Sequence, residues 1–524
     1  MKHERFGYWL RVVSLPTLLV LLVAAGLGSH YETNDDFSIT LLLRGRTAVA
    51  PVTNLHLYFH GWAWLLAQLY QLEPAVPWYG LLLTTLLLLA LVLLMAVLEE
   101  LLRPHTAPAA RAAWLAAFLF LAGLEHVQWF SYVRVPLLLG GAALLWAAQF
   151  AGRLRLSWAL GGLLFVAAWA IRPSAAVLGA ALVAPAAWWL GGRGRWQALA
   201  TVVGAAVLLG LGAQLFRSPE AARYRRLDVL KSNVLDYGFY RAAPRTAADS
   251  VGVGLVAQWA FGDSVWVNER FFARAYQPNP HYWSQTMPAK FQSLHGQLTR
   301  DYFPLLGLNL FLLLLSRGAS APARRRQGWY LAGFALLLLG LGLGLKLPPR
   351  LTGPLLTLGT IAHLTLLSPA LPRPAPLAFR RFSYALLTLL AGFYAYKVVH
   401  RQAALRAEER RHVAQLRGLP TPADGRVLIG MGLEEWFKSL SPFREYVPDG
   451  GSPWLLLTGW PSLDPSQARL RQHLAGTYDQ AEALRRLVQR PDVQWVNAPA
   501  ADSSVLKTYW RRVQAPTDST AAFQ

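Results

Sequence analysis

Long runs of apolar residues dominate the pattern of hydrophobic and polar positions in this chain. A membrane-spanning helix needs about 20 such residues, and polar or basic residues separate the runs. The pattern predicts about eleven spans, at residues 9–28, 78–100, 112–130, 135–150, 157–171, 174–190, 198–216, 303–315, 329–345, 351–367 and 382–399. Short spans indicate broken or tilted helices near a cavity. We therefore predict a mainly α, polytopic membrane helical bundle.

Lysine and arginine residues collect in alternate loops between these runs, for example at Arg103 and Arg111. Because basic loops face the cytoplasm in membrane proteins, this pattern predicts a cytoplasmic N-terminus. The opposite, extracytoplasmic face then carries a first outer loop at 29–79, a large outer loop at 217–302 and the whole C-terminal tail.

One aromatic segment, residues 55–71, breaks this alternation. If it were a span, the predicted side of every later loop would be inverted. We interpret it as a re-entrant or interfacial helix on the outer side, ended by Pro74 and Pro77. The alternative is an ordinary span combined with one miscounted helix elsewhere.

The tail changes from apolar runs to short alternating elements. Strands are predicted at 426–430, 454–458 and 493–496. Asp464 followed by Pro465 is a typical helix start, and Thr477 with Gln480 resembles the capping box of a second helix. Alternating strands and helices indicate a small α/β domain. The predicted domains are a transmembrane domain at 1–400 and a soluble extracytoplasmic α/β domain at 401–524.

Composition agrees with a membrane protein, because the chain is 54% hydrophobic and only 15% charged. The absence of cysteine excludes disulfides and thiolate metal sites. A net charge of +22 could indicate nucleic acid as a partner. The basic residues lie in short loops between apolar runs, however, so we expect the lipid bilayer and no nucleic acid as the partner.

Three acidic residues, Glu32, Asp35 and Asp36, follow the first apolar run. In a helical turn, Glu32 would face one of the aspartates across a metal-sized gap. Since Mg²⁺ and Mn²⁺ prefer carboxylate oxygens, Glu32 and Asp36 are candidate metal ligands. Alternatively, one aspartate acts alone as a general base. A third interpretation is structural, with Asn34 or Asp35 as the N-cap of the next helix.

Three arginines on the predicted outer face are candidates for binding a substrate phosphate. Arg172 precedes Pro173 between two apolar runs, and Arg134 and Arg350 lie on the same face. The guanidinium group matches phosphate oxygens in geometry and charge, so a lipid-linked phosphate would suit these positions. The alternatives are contacts with lipid headgroups or, for Arg134, an ion pair with Glu125.

His56 and His60 are further candidates for substrate or metal binding. They lie four residues apart, so on a helix they would share a face. The large outer loop mixes aromatic and charged residues, a pattern typical of sugar-binding surfaces and of helices lying on a membrane.

With these residues noted, the chain resembles the GT-C superfamily of integral membrane glycosyltransferases, which includes protein O-mannosyltransferases and aminoarabinose transferases. The resemblance rests on the paired acids Asp35 and Asp36, the aromatic segment with His56, an Arg-Pro at a helix end and a soluble domain after the last span. The string at 34–37 resembles members of a Bacteroidetes type. The chain lacks the Trp-Trp-Asp motif of oligosaccharyltransferases, so protein N-glycosylation is not expected.

The resemblance implies an inverting transfer of sugar from a polyprenyl-phosphate donor to an acceptor hydroxyl, outside the inner (cell) membrane of a bacterium. Asp35 or Asp36 would deprotonate the acceptor, and Asp36 aligns better with the second acid of the family's pair. Arg172, then Arg350 and Arg134, or Mg²⁺ or Mn²⁺, would stabilise the leaving phosphate. The acceptor would be a glycan, a lipid or a protein of the cell envelope.

Two other functions are compatible with the same architecture. A surface-polysaccharide polymerase or ligase would share the donor but use arginines of the outer loops, so that the first-loop acids would be dispensable. A non-enzymatic transporter of lipid-linked sugars would need charged residues near the middle of the membrane or inverted repeats, and the sequence shows neither.

Overall fold

The computed structural model of the protein describes residues 2–154, 156–316, 319–368, 377–419, 426–447, 453–498, 507–509, 511 and 513. These residues form a mostly helical protein with a few short strands. The last part of the domain predicted at 401–524 lies outside the described residues.

The helices are α1 (Glu4–Leu27), α2 (Asn34–Leu43), α3 (Trp62–Leu72), α4 (Trp78–Leu102), α5 (Pro108–Gln128), α6 (Arg134–Phe150), α7 (Ser157–Ile171), α8 (Pro173–Leu190), α9 (Arg195–Leu215), α10 (Pro219–Leu235), α11 (Ala247–Ala257), α12 (Glu269–Ala275), α13 (Tyr282–Asp301), α14 (Phe303–Leu315), α15 (Ala321–Gly344), α16 (Pro349–Leu367), α17 (Arg381–Arg417), α18 (Pro465–Ala475) and α19 (Gln480–Val488). The strands are β1 (His30–Tyr31), β2 (Trp129–Phe130), β3 (Tyr240–Ala242), β4 (Tyr276–Pro278), β5 (Val427–Met431), β6 (Trp454–Leu456) and β7 (Val493–Asn497).

Seven helices of the described chain are long and apolar enough to cross a membrane, namely α1, α4, α5, α8, α9, α15 and α17. The pair α13 and α14, bent by 82°, raises this number to eight. The count differs from the predicted eleven because α6 and α7 have only 17 and 15 residues, and because α16 carries threonines and His363. Since α6 and α16 are almost entirely buried, neighbouring helices replace lipid around them and tolerate their shortness and polarity.

The aromatic segment predicted as one helix at 55–71 folds in two parts. Residues 55–61 form a tight turn, in which His56 and Phe59 have positive φ angles of 58° and 53°. α3 begins only after this turn and has 11 residues, fewer than a bilayer-spanning helix needs. The prediction of a continuous helix is therefore wrong, because the turn delays the start of the helix to Trp62.

The tail contains a parallel sheet with the strand order β6-β5-β7, and α18 and α19 connect β6 to β7. α18 begins as predicted, since the side chain of Asp464 accepts a hydrogen bond from the Ser466 N–H at 2.9 Å. The capping box predicted at Thr477 is wrong. Asp479 is the N-cap of α19 instead, and its side chain accepts from the Glu482 N–H at 2.7 Å.

The tail packs directly on the first outer loop. The Tyr31 N–H donates to the Leu440 carbonyl at 2.8 Å, and the Ser439 N–H donates to the Tyr31 carbonyl at 3.1 Å. The ring centres of Phe37 and Phe437 lie 5.0 Å apart. These contacts hold α2, which carries the paired aspartates, between the helical bundle and the tail.

A buried arginine, Arg134, ties the first outer loop to the bundle. Its Nε donates to Glu32 Oε2 at 2.7 Å, and its Nη2 lies 3.8 Å from Glu125 Oε1. Its Nη1 lies 3.1 Å from His126 Nδ1. Glu125 in turn lies 3.7 Å from Arg401 of α17. Because protein groups surround this guanidinium, we assign Arg134 to the framework and no longer to phosphate binding.

Replacing Arg134 with methionine should lower the free energy of unfolding by about 3–5 kcal/mol, because Glu32 would lose its cation and Glu125 would keep only Arg401 among its described ion-pair partners. The measurement is the apparent melting temperature of the purified protein in detergent. Arg153→Met is the control, since Arg153 is 57% exposed and its pair with Glu100 should contribute at most about 1 kcal/mol. Equal shifts in both variants would contradict a central role for Arg134.

Candidate functional site

The start of α2 positions the acids of the first outer loop. Thr33 is the N-cap, so Asn34, Asp35 and Asp36 form the first helical turn, where unpaired backbone N–H groups favour negative charge. Neither Asn34 nor Asp35 is the cap. Glu32 lies ahead of the helix, so the predicted helical turn that joins it to the aspartates is wrong.

Asp36 is buried completely beneath this turn. Its Oδ1 accepts hydrogen bonds from Tyr79 Oη at 2.7 Å and from the Tyr132 backbone N–H at 2.8 Å. Its Oδ2 is also buried and has no hydrogen-bond partner among the residues described. Burial raises the pKa of Asp36 to about 7, and the two hydrogen bonds oppose that shift. Asp36 therefore presents no surface to a substrate.

Asp35, in contrast, reaches a cavity of about 330 Å³ between α2, the large outer loop and the tail. We call it the tryptophan cavity, because Trp259 and Trp460 line it. The Asp35 side chain is 18% exposed, and its Oδ2 lies 3.3 Å from Arg350 Nη1. A general base must come within hydrogen-bonding distance of the proton it removes. Asp35 is thus the accessible acid of the pair, which reverses the preference for Asp36 drawn from the sequence.

Arg172 approaches the same acids through Tyr132. Its Nη1 donates to Tyr132 Oη at 2.6 Å, and Tyr132 donates its backbone N–H to Asp36. Arg172 and Asp35 also attract each other electrostatically. The predicted residues that the fold brings together are Asp35, Asp36, Arg172 and Arg350.

A second cavity, of about 460 Å³, opens beside Arg172 at the start of α8 and the end of α9. We call it the arginine cavity, because Arg172, Arg217 and Arg225 line it, while no acidic side chain of the described chain does. Tyr58 covers Arg172, with the guanidinium carbon 4.9 Å from the ring centre. α8 begins here at Pro173, so the positive end of its dipole adds to the arginine charges. This cavity is suited to bind an anion.

His56 and His60 both line the arginine cavity. The ring of His56 lies 5.9 Å from that of Tyr224, and the ring of His60 lies 5.3 Å from that of Trp169. The prediction that the two histidines share a helix face is wrong, because they belong to the turn before α3. Burial, together with the charge of Arg217, lowers the pKa of His60, so its imidazole is neutral at pH 7.

Glu32 and Asp36, the predicted metal ligands, have different partners. Glu32 accepts from Arg134 Nε, whereas Asp36 accepts from Tyr79 and Tyr132. Nowhere in the described ranges do three or more histidine, cysteine, aspartate or glutamate side chains form a group that could hold a metal ion. Since Mg²⁺ prefers several oxygen ligands around one point, these two residues do not fit the predicted Mg²⁺ or Mn²⁺ site.

The tyrosines that hold Asp36 were not predicted from the sequence. Tyr79 is the second residue of α4, and Tyr132 lies in the link between β2 and α6. A tyrosine at the end of a span usually marks the membrane interface, so its position alone does not indicate a contact with a carboxylate. The two hydrogen bonds join residues 43 and 96 positions apart in the chain, and no local pattern reports such pairings.

Comparisons of the chain with family models, with curated proteins and with solved structures find no match. The function is therefore inferred from the site itself, namely from the converging acids and arginines and from the two cavities beside them.

The buried position of Asp36 predicts a pH-dependent stability. Its pKa of about 7 in the folded protein lies above the value of 3.8 for an unperturbed carboxyl, so the folded state holds the proton more tightly than the unfolded state. This stabilisation is complete below a pH of about 4 and is lost as the pH rises through about 7.

Asparagine does not titrate, so Asp36→Asn should gain stability relative to the wild type as the pH rises from about 5 to about 8. Apparent melting temperatures of both proteins across this range measure the effect. A difference that stays constant with pH would show that Asp36 does not titrate in this window.

Proposed function

We propose that the protein is a membrane glycosyltransferase, which transfers a sugar from a polyprenyl-phosphate donor to an acceptor hydroxyl with inversion. One observation carries the proposal. Asp35, an accessible carboxylate, contacts Arg350 and lines a cavity formed partly by the tail, while Arg172, which attracts Asp35 electrostatically, lines a separate cationic cavity. A base beside a phosphate site is what this transfer requires.

We assign the arginine cavity to the phosphate of the donor. It opens at the outer end of α9, where Phe216 is 90% exposed, so a lipid chain in the bilayer can bring its headgroup to the cavity. Guanidinium groups bind phosphate oxygens through paired hydrogen bonds, which suits Arg172 and Arg217. Most of the donor's lipid then stays in the membrane.

In the proposed reaction, the acceptor oxygen bonds to the anomeric carbon as the bond from that carbon to the phosphate oxygen breaks. The acceptor proton passes to Asp35, and the electron pair of the broken bond remains on the phosphate. Attack on the side opposite the phosphate inverts the anomeric configuration. Arg172 stabilises the charge that gathers on the leaving phosphate. Arg350 orients Asp35 through their contact at 3.3 Å.

We also propose that the site faces the outside of a bacterial inner membrane. Tyr79, next to Asp36, and Glu99, which pairs with Arg111 at 2.8 Å, lie near opposite ends of α4. About 20 residues of helix separate them, or about 30 Å, which matches the hydrocarbon thickness of a bilayer. Because basic loops such as that of Arg111 face the cytoplasm, the site lies on the other side.

A polysaccharide polymerase or ligase is the second candidate. Arg217 and Arg225 of the large outer loop line the arginine cavity, and such an enzyme would rely on these residues. It would use the same donor but would not need a carboxylate base. The role of Asp35 therefore distinguishes the two functions.

Asp35→Asn should reduce sugar transfer at least about 100-fold, because a general base contributes about 10²–10⁴-fold. Asp36→Asn should keep transfer within about tenfold of the wild type, because the amide oxygen can accept the same two hydrogen bonds. The measurement is transfer of a labelled sugar from polyprenyl phosphate to envelope acceptors, with membranes of cells that lack the wild-type protein.

These two variants are matched controls, since each replaces a carboxylate with an amide of the same shape in the same helical turn. Full transfer by both would favour the polymerase or ligase. Loss of transfer in Asp36→Asn alone would assign the base to Asp36. If the pure wild-type protein moved lipid-linked sugar across vesicle membranes without transferring it, the transporter would be favoured.

Arg172→Lys should raise KM for the lipid-linked donor by about tenfold, because lysine keeps the charge but loses the paired hydrogen bonds to phosphate. Arg226→Lys is the control, since Arg226 is 58% exposed, pairs with Glu269 and does not line the arginine cavity. Initial rates at increasing donor concentration give the KM of each variant. An unchanged KM in Arg172→Lys would remove this residue from the donor site.

A further inference from the structure

The tryptophan cavity contacts Asp35 but shares no lining residue with the arginine cavity, and the proposed donor site does not use it. Its walls come from α2, from the segment after α11 and from the tail. The lining includes Asp35, Trp259, Glu434, Glu435, Thr458 and Trp460. Three separate parts of the chain thus meet around one accessible carboxylate.

The tail contributes the carboxyl ends of β5 and β6 to this cavity, the edge at which parallel α/β sheets bind ligands. Gly432 and Gly459 follow these strands with positive φ angles of 72° and 80°. A Cβ atom at Gly459 would lie 2.4 Å from Glu434 Oε1. The glycine therefore makes room for a carboxylate at the cavity wall.

Glu434 is a rigid acceptor in that wall. It is 7% exposed, and its Oε2 accepts a hydrogen bond from Thr458 Oγ1 at 3.0 Å. The same hydroxyl accepts from the Gly432 N–H at 2.7 Å. A carboxylate held in this way can accept hydrogen bonds from a ligand without first losing conformational freedom.

Two tryptophans provide aromatic walls. Trp259 has a φ of 57°, a region that bulky residues avoid, and its carbonyl accepts from Ser462 Oγ at 3.1 Å. The indole Nε1 of Trp460 is buried without a hydrogen-bond partner within the described residues. A strained backbone and an unsatisfied buried donor at one cavity both indicate a ligand site.

The charge of this cavity is opposite to that of the arginine cavity. Asp35, Glu434 and Glu435 line it, and Lys438, the cation among its described lining residues, already pairs with Glu435 at 2.7 Å. Since Arg350 pairs with Asp35, the described lining offers no unpaired cation to a phosphate or another acidic group. A neutral sugar fits, because indole rings can pack on the apolar face of a pyranose while carboxylates accept hydrogen bonds from its hydroxyls.

We propose that the tryptophan cavity binds the terminal sugar of a neutral glycan acceptor and brings the attacking hydroxyl to Asp35. This inference rests on the proposed glycosyltransferase function and narrows the acceptor from a glycan, a lipid or a protein to a glycan. Donor and acceptor would then occupy two separate cavities.

The test compares transfer to the acceptor with hydrolysis of the donor, in which water replaces the acceptor hydroxyl. Glycan, lipid and protein fractions from envelopes of cells without the protein serve as separate acceptors for a labelled polyprenyl-phosphate sugar. Label should enter the glycan fraction. Trp259→Ala and Trp460→Ala should lower the ratio of transfer to hydrolysis at least about tenfold, because water needs no binding site.

Two further variants keep the test decisive. Trp283 lies in the large outer loop, as Trp259 does, but it is 73% exposed and does not line the tryptophan cavity. Trp283→Ala should therefore keep the wild-type ratio of transfer to hydrolysis. Glu435→Gln is a milder change at a side chain that is 52% exposed, and it should lower the ratio about threefold even where the alanine variants fail to fold.

An unchanged ratio in Glu435→Gln and in the folded alanine variants would overturn the proposal for the acceptor. Label that enters only sugar-free lipid or protein would overturn it as well, while the glycosyltransferase function would stand. Wild-type protein that neither transfers nor hydrolyses the donor would instead overturn the proposed function itself.

Discussion

The position of the first outer loop depends on one positive charge in the interior of the bundle. Removing Arg134 from water costs several kcal/mol, and only close contact with carboxylates offsets this cost. Glu32 comes from the first outer loop and Glu125 from α5, so movement of the loop would leave the buried guanidinium, within the described residues, only its longer carboxylate contact with Glu125. The acids of α2 begin three residues after Glu32 and are fixed by this ion pair.

Two adjacent aspartates acquire different properties because successive residues of a helix point about 100° apart. The side chain of Asp36 points into the interior, where burial favours its neutral form. The side chain of Asp35 points towards the tryptophan cavity and Arg350. The pair thus consists of one buried and one accessible carboxylate, because the two side chains have different surroundings.

The helices and the strands of the tail could be predicted from the pattern of neighbouring residues. All eleven apolar runs lie on helices, and the three strands of the tail were predicted within two residues of their observed bounds, because both depend on nearby side chains. The turn at 55–61 could not be predicted in this way. Its conformation depends on a distant contact, in which the Phe59 N–H donates to the Ile171 carbonyl at 3.0 Å.

The candidate site was predicted only in part, because some of its features depend on contacts between distant parts of the chain. Residue type and topology placed Asp35, Arg172 and Arg350 on one face. The separation of Asp36 from solvent depends on Tyr132, and the tryptophan cavity depends on the docking of the tail, both of which are contacts between distant parts of the chain.

The single helix α17 joins the membrane to the tail. Its C-terminal end contacts the tail directly, with His412 Nδ1 at 2.8 Å from the Lys438 carbonyl and Glu408 Oε2 accepting from Ser439 Oγ at 2.9 Å. One inserted residue would turn the tail by about 100°, whereas seven would nearly restore its direction and raise it by about 10 Å. The tryptophan cavity has walls from segments before α17 and from the tail after it. It therefore forms only when α17 has the length that gives the tail this rotation and this height.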